Sequence, residues 1–447
     1  MNEEISLRLR TCERRGICAT AIHSHLLSSR LARHVRALML CCVLLLTLGA
    51  PNLYSYSVLT HEAVVDSVWT QSIEPLLRQR FSQVTARDLK SAHAYAYGGC
   101  IIQDMGYYPF GSAFFTDLTH YVRSGDFVSA MLRDARNVNE YAFALGALAH
   151  YAADNTGHPL GINRTVPLLY PKLRRKYGDD IPFAYDPAAH LKTEFGFDVV
   201  EVAKGGYASD AYRDFIGFEV SRPLLEAAFH DTYGLDLDDV SGTLNLAIGT
   251  YRKTVSGIIP KTTQIAWQIK KDEIQKSLPG ITRDKFLYNL SKADYQKAWG
   301  SQYREPGFGS RVLALVIRLI PKVGPFRALE FHTPTPETEK LFMDSFNATV
   351  ERYRALIAAE GSRRAEPADL NLDLGKPVTA GMYKKSDDVY AKLVHEFAKR
   401  RFAEMPLALR ENILAFYKDG SAPISTKRHR KEWAKLQTEL QQLRQTN

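Results

Sequence analysis

The sequence predicts an all-α fold, and three observations carry that reading. Apolar residues recur at helical spacing beyond residue 58, and runs of alternating apolar and polar residues are scarce. One segment, Asn139 to Asp154 (NEYAFALGALAHYAAD), is apolar on nearly every face. A helix with no polar side to offer water belongs at the centre of a helical assembly.

In chain order, residues 61–80 read as a first helix. The buried helix 139–154 follows, ended by Asn155, Gly157 and Pro159. Residues 187–204 form another, with Pro187 at its start, and further helices are expected over 210–230 and 244–277. Leu278-Pro279-Gly280 marks a break. Beyond it come a Gly-rich polar stretch at 300–310, the run Arg311 to Phe326 (RVLALVIRLIPKVGPF) and TPTP at 333–336, which opens a helix to about Ala359. Residues 361–378 read as a loop, with helices near 385–418 and 427–444 after it. The predicted organisation is a leader at 1–57, a catalytic domain at 58–278 and a helical C-terminal region at 279–447. That last region is either a separate domain or a layer packed on the first.

At 447 residues, 45% hydrophobic and 24% charged, the chain can bury a full core. A net charge of +9 favours anionic partners such as phospholipid headgroups or nucleic acid without choosing between them. Much of the excess lies at the ends, in Arg8 to Arg36 and in Lys427 to Lys435, where solvated tails explain it. Ala37 to Ala50 (ALMLCCVLLLTLGA) is apolar, follows Arg36 and is short for a membrane span. It reads as the core of a signal peptide, cleaved between Ala50 and Ser57, so the protein is expected to be exported. The alternative is an uncleaved N-terminal anchor. Cys12, Cys18, Cys41 and Cys42 fall in this leader, and its removal leaves Cys100 alone. Internal disulfides and thiolate zinc clusters are then excluded, and any metal is held by nitrogen and oxygen.

The chemistry-bearing residues come in short pieces. In AHYAADNTGHP, His150 and Asp154 are four apart, so a helix sets them on one face, with His158 four further on. Two imidazoles and a carboxylate suit zinc or a similar cation, and a metal would satisfy a carboxylate that is costly to bury alone. A structural His–Asp pair is the equal alternative for this piece. AHLKTE repeats the spacing with His190 and Glu194, and facing helices can supply two walls of one site. Asp104 lies in GGCIIQDMGYYP, a loop flanked by glycines and aromatics; His120 lies in LTHY, and His61 in THEA. Each of these is unremarkable alone.

Their order, His61, Asp104, His120, His150-x-x-x-Asp154, His158, His190-x-x-x-Glu194, resembles the zinc-dependent phospholipase C family over about residues 58–275. Single-strand-specific zinc nucleases share the ligand plan. The resemblance implies a multi-helix phospholipase C/nuclease-like bundle with additional C-terminal helices, and two or three Zn2+ ions. By that resemblance Asp104, His120, His150 and Asp154 would hold one zinc and His158, His190 and Glu194 a second. His61, a bridging Asp154 and the mature N-terminal residue would hold the third. Asp104 is a candidate general base at the rim of the cluster, with a role as ligand alone the alternative. The implied activity is phosphodiester hydrolysis, most directly of phospholipids, with nuclease or other phosphoesterase activity, or a non-catalytic metal-stabilised envelope protein, as alternatives. The partners expected are a phospholipid or other phosphodiester substrate and peripheral membrane contact; no specific nucleic-acid partner is predicted. Two departures stand out. Tyr56 to Thr60 contain no Trp to head the mature chain, and Asp154 and His158 are two residues closer than in the best-known members. That spacing requires an altered helix end, which Gly157 is expected to supply.

Among the remaining residues, His93 is read as structural, His230-Asp231 as a chance dipeptide, and His332, His395 and His429 as lacking neighbours. Tyr107, Tyr108, Phe110, Phe114 and Phe115 are read as core packing before a substrate pocket. Arg311 to Phe326 is read as either a membrane-inserting segment or a buried hairpin.

Overall fold

The computed structural model describes residues 58–204, 218–255, 330–362, 366–420 and 429–446, with single positions between 269 and 276 and at 424 and 427. The leader, the run Arg311 to Phe326 and most of 256–329 lie outside the described residues. The described chain is all-α: its only strand-like feature is one isolated bridge between Asn371 and Lys376. No described helix is long and apolar enough to cross a membrane.

In order the helices are α1 (Val58–Val68), α2 (Glu74–Arg80), α3 (Ala86–Gly99), α4 (Ala113–Tyr121), α5 (Ser124–Asp134) and α6 (Val138–Gly157). Then come α7 (Asn163–Leu169), α8 (Pro171–Tyr177), α9 (Pro187–Lys204), α10 (Arg222–Tyr233), α11 (Leu237–Ser241) and α12 (Leu244–Lys253). The C-terminal set is α13 (Pro336–Ser362), α14 (Lys384–Lys399), α15 (Leu407–Phe416) and α16 (Arg430–Gln445). Capping fixes the starts of the helices that matter most. Thr85 and Asp88 form a reciprocal capping box on α3, and Asn137 Oδ1 accepts the Asn139 and Glu140 N–H groups of α6.

The fold centres on α6, in which Tyr141 to Asn155 are all buried. It packs against α1, α3, α5 and α13. The helix starting at 336 therefore lies directly on the central helix α6. Tyr353 of α13 donates its hydroxyl to the Leu145 carbonyl at 2.7 Å, and Tyr141 of α6 donates to Glu360 at 2.9 Å.

Several boundaries differ from expectation. The first helix is interrupted by a widened π turn at Trp69–Ile73, and 385–418 splits into α14 and α15 at Arg400–Pro406. Arg401, Phe402 and Glu404 take positive φ there and Pro406 caps the next helix, so the chain turns rather than continues. Of the helix expected over 210–230, residues 210–217 lie outside the described residues, 218–221 are not helical, and α10 begins at Arg222. The helix through 139–154 does not end at Asn155–Pro159. It runs to Gly157 and passes through a π turn, His158–Ile162, into α7. Gly157 has ordinary helical angles, φ −68° and ψ −42°, so the π turn alters the helix, not glycine freedom. Pro159 sits near the start of that turn, where the missing N–H is tolerated.

The C-terminal segment also caps α5. Arg123 precedes that helix with φ 48° and provides no side-chain cap. Instead Asp369 Oδ1 accepts the Gly125 and Asp126 N–H groups at 3.0 Å each. Asp369→Ala is expected to cost about 1–2 kcal/mol, as for loss of a helix cap, in urea denaturation. Burial, offset in part by the Asp126 N–H and reinforced by the Asp126 carboxylate, lifts the Asp369 carboxyl to about 6 from 3.8. The folded state then holds the proton more tightly than the unfolded state. The contribution of this group to stability therefore falls as pH rises through that interval, and Asp369→Asn should flatten the slope. Equal slopes for the two proteins would contradict this.

Candidate metal centre

Helix α6 presents His150 and Asp154 on one face, and the π turn swings His158 into the same space. Asp154 lies between four imidazoles: 3.5 Å from His61, 3.3 Å from His120, 3.2 Å from His150 and 3.8 Å from His158, all measured at Nε2. His61 comes from α1 and stacks on the His150 ring, with centroids 4.6 Å apart. His120 comes from the last turn of α4. Asp104 lies in a 3₁₀ turn, Ile102–Tyr107, rather than an open loop, and its Oδ1 is 3.3 Å from His120 Nε2. Thr116 of α4 stitches that turn in place, donating to Gln103 O at 2.7 Å and accepting from Gly106 N–H at 2.9 Å. On α9, His190 and Glu194 are one turn apart, with His190 Nδ1 3.8 Å and His158 Nε2 4.0 Å from Glu194 Oε1.

All eight residues singled out in the sequence therefore meet, and none is more than 3% exposed. Three sets can each hold a metal ion, their ligand atoms lying within 4.8 Å of one another: His61, His150 and Asp154; Asp104, His120 and His150; His158, His190 and Glu194. The residues preceding Val58, which would include any N-terminal chelating group, lie outside the described chain.

The imidazoles are held by their far nitrogens. His120 Nδ1 pairs with the Thr116 carbonyl at 2.8 Å, His150 Nδ1 with the Cys100 carbonyl at 3.0 Å, and His190 Nε2 with the Ile181 carbonyl at 2.5 Å. A carbonyl accepts only, so each ring donates there and turns a lone pair to the cluster, as metal-ligating histidines do. Both oxygens of Glu194, Asp154 Oδ1 and His190 Nδ1 are buried without a hydrogen bond. Buried polar atoms left in that condition are costly, and a cation coordinated by them removes the cost. The residues present thus fit a borderline divalent ion such as zinc.

Charge is divided unequally among the side chains themselves. Burial, helped by His150, holds His61 well below the ordinary histidine value, and burial likewise lowers His190. Burial also acts on His120 and His150, but Asp104 and Asp154 outweigh it and raise both. Burial would raise Asp154 too, yet His150 and His158 hold it well below the ordinary carboxylate range. Glu194 is pushed up to about 8 by burial.

His93, read as structural, behaves so: it bonds Asp66 at 2.9 Å and stacks on Trp69, with centroids 3.7 Å apart. His230 is exposed, 3.9 Å from Asp236. His332, expected to lack neighbours, packs edge-on against Tyr170. His395 does have neighbours, Glu439 at 2.9 Å and Lys435 at 3.0 Å, because α16 packs on α14 across a long stretch of sequence. Tyr107, Tyr108, Phe114 and Phe115 are buried, and Phe110 alone of the aromatic run is exposed.

One carboxylate beside the cluster has no counterpart among the eight. Asp373 Oδ1 lies 3.8 Å from His158 Nδ1, and the residue is 2% exposed. It sits in NLDLG, within the segment read as a loop. An acidic residue between two leucines in an otherwise polar loop was the available sign of burial.

Fold and site together define a class: a protein all-helical over its described residues, with a buried histidine–carboxylate cluster that could hold metal. Residues 60–240 match the family model of zinc-dependent phospholipase C. No curated protein and no solved structure matches the chain.

Proposed function

We propose that this protein is a zinc-dependent phosphodiester hydrolase of phospholipase C type, using two or three Zn2+ ions and acting after export through its leader. The observation that carries this is the convergence of seven further histidines and carboxylates around or beside His150 in the matched domain. Zinc bound there would neutralise a phosphodiester oxygen and lower the pKa of a bound water. Asp104 is the base in this reading. It lies at the side of the cluster formed with His120 and His150, and receives the proton of the attacking water. The new bond joins water oxygen to phosphorus, the bond from phosphorus to the glycerol oxygen breaks, and that oxygen takes up a proton. A phospholipid would yield diacylglycerol and a phosphorylated headgroup. His120, His150 and His190, fixed by backbone carbonyls, keep their ligand nitrogens aimed.

The test is zinc analysis of the purified protein beside assays on a choline phosphodiester, phospholipid vesicles and single-stranded DNA. Zinc with phospholipid hydrolysis supports the reading, and cleavage of DNA alone makes the protein a nuclease. The depth of burial favours one other reading, a structural metal, which zinc without hydrolysis of any substrate would establish.

Zinc uptake at pH 7 should also release protons, because burial keeps Glu194 protonated up to about 8. The Glu194 share grows as pH falls below that value and vanishes above it, so affinity weakens toward acid. Titration calorimetry in two buffers of different ionisation heat measures the release, and identical heats in both would contradict it.

A further inference from the structure

We propose that Asp373, which lies outside the family-matched residues, is a positioning residue for His158 and makes the C-terminal segment part of the metal centre. The inference rests on the zinc reading above. His120, His150 and His190 each lean their far nitrogen on a neutral backbone carbonyl. His158 differs: its Nε2 faces Asp154 and Glu194, while its Nδ1 faces the Asp373 carboxylate at 3.8 Å. A carboxylate behind an imidazole fixes the ring and makes its other nitrogen a stronger donor to metal than a carbonyl does.

Asp373 is itself held from several sides. Its Oδ2 accepts the Tyr121 hydroxyl at 2.9 Å and the Tyr383 hydroxyl, and its carbonyl accepts from Asn163 Nδ2 at 2.9 Å. Two tyrosine donors on one oxygen leave Oδ1 aimed at His158. The next residue back, Leu372, donates its N–H to the His120 carbonyl at 3.1 Å, so the segment touches two of the proposed ligand residues at once. The turn is tight. Gly375 has φ 63°, and a side chain there would meet the Asn155 carbonyl at 2.3 Å. The turn thus rests on the last turn of α6, between Asp154 and His158. Asn163 and Tyr121 belong to the matched domain, whereas Asp373 and Tyr383 do not. The site is therefore closed by residues more than 130 positions beyond it.

The experiment compares wild type, Asp373→Asn and Asp373→Ala as full chains. Each is stripped of metal and titrated with zinc against a chromophoric chelator, and the cobalt(II) forms are compared by absorption. The expected result is that one class of ion binds about 10- to 100-fold more weakly in Asp373→Ala, with Asp373→Asn between it and wild type. Ions outside the His158 set should keep their affinity, and the cobalt bands of the His158 set should shift. Should the alanine variant fail to fold, the isosteric asparagine variant decides by itself. Wild-type affinity for every ion in a folded variant overturns the role of Asp373. Failure of the wild type itself to take up zinc overturns the functional reading instead.

Discussion

His150→Ala is expected to abolish hydrolysis and strip the protein of most of its zinc. His150 belongs to two of the three sets of ligand atoms, and its Nε2 lies 3.2 Å from Asp154 and 3.3 Å from His120. Its removal takes a donor from both and unseats Asp154, the carboxylate that faces four imidazoles. Loss of a residue that merely supports a ligand costs about 10- to 100-fold in affinity or activity. Loss of a shared ligand should exceed about a hundredfold in hydrolysis. The fold should tolerate the change only in part. Cys100 O loses its partner, and the vacated space sits on a helix with no solvent face. Zinc per chain, hydrolysis rate and melting temperature separate the outcomes. A variant that melts near chelator-treated wild type, carries little zinc and is inactive fits. Full activity with unchanged zinc content would refute the assignment.

Much of this centre could be read before the fold. The i, i+4 spacings of His150 with Asp154 and of His190 with Glu194 are local facts of a helix, and α6 and α9 realise them directly. What gathers Asp104, His120 and His61 around them is packing across long separations, which no local pattern encodes. Order along the chain supplied that through a family resemblance. The π turn at His158 was not legible, because Gly157 and Pro159 together spell a helix stop. Here the stop is overridden by burial of the turn against α13, where a side chain on Gly161 would strike Ser345. Asp373 was missed for a related reason. Read locally, NLDLG is a loop, and only the distant tyrosines 121 and 383 make its aspartate a buried, aimed carboxylate. The C-terminal region was open between domain and layer, and the cap that Asp369 places on α5 lies outside any windowed reading.

The second large effect concerns how closely α3 and α6 cross. On α3, a side chain at Gly99 would meet the Phe143 carbonyl at 2.0 Å; on α6, one at Gly146 would meet the Ala96 carbonyl at 2.0 Å. These are reciprocal backbone contacts, with no flexible side chain able to yield. Gly146→Ala improves intrinsic helix propensity by about 1 kcal/mol, so an unpacked helix would be stabilised. Here the added carbon forces two buried helices apart, for which overpacking costs of about 1–3 kcal/mol or more are usual. The clash lies with rigid backbone, so the larger end of that range should prevail, leaving the variant about 2 kcal/mol less stable despite its better propensity. The injury also reaches the metal centre. Gly146 is one turn before His150, and Cys100, whose carbonyl holds His150 Nδ1, directly follows Gly99. Separating the helices draws that carbonyl from the ring, so zinc affinity should fall together with urea stability, and Gly99→Ala should act in the same direction. A Gly146→Ala protein that is more stable than wild type and binds zinc as tightly would mean that the helices do not cross at backbone contact, and that His150 is not aimed by the turn that follows α3.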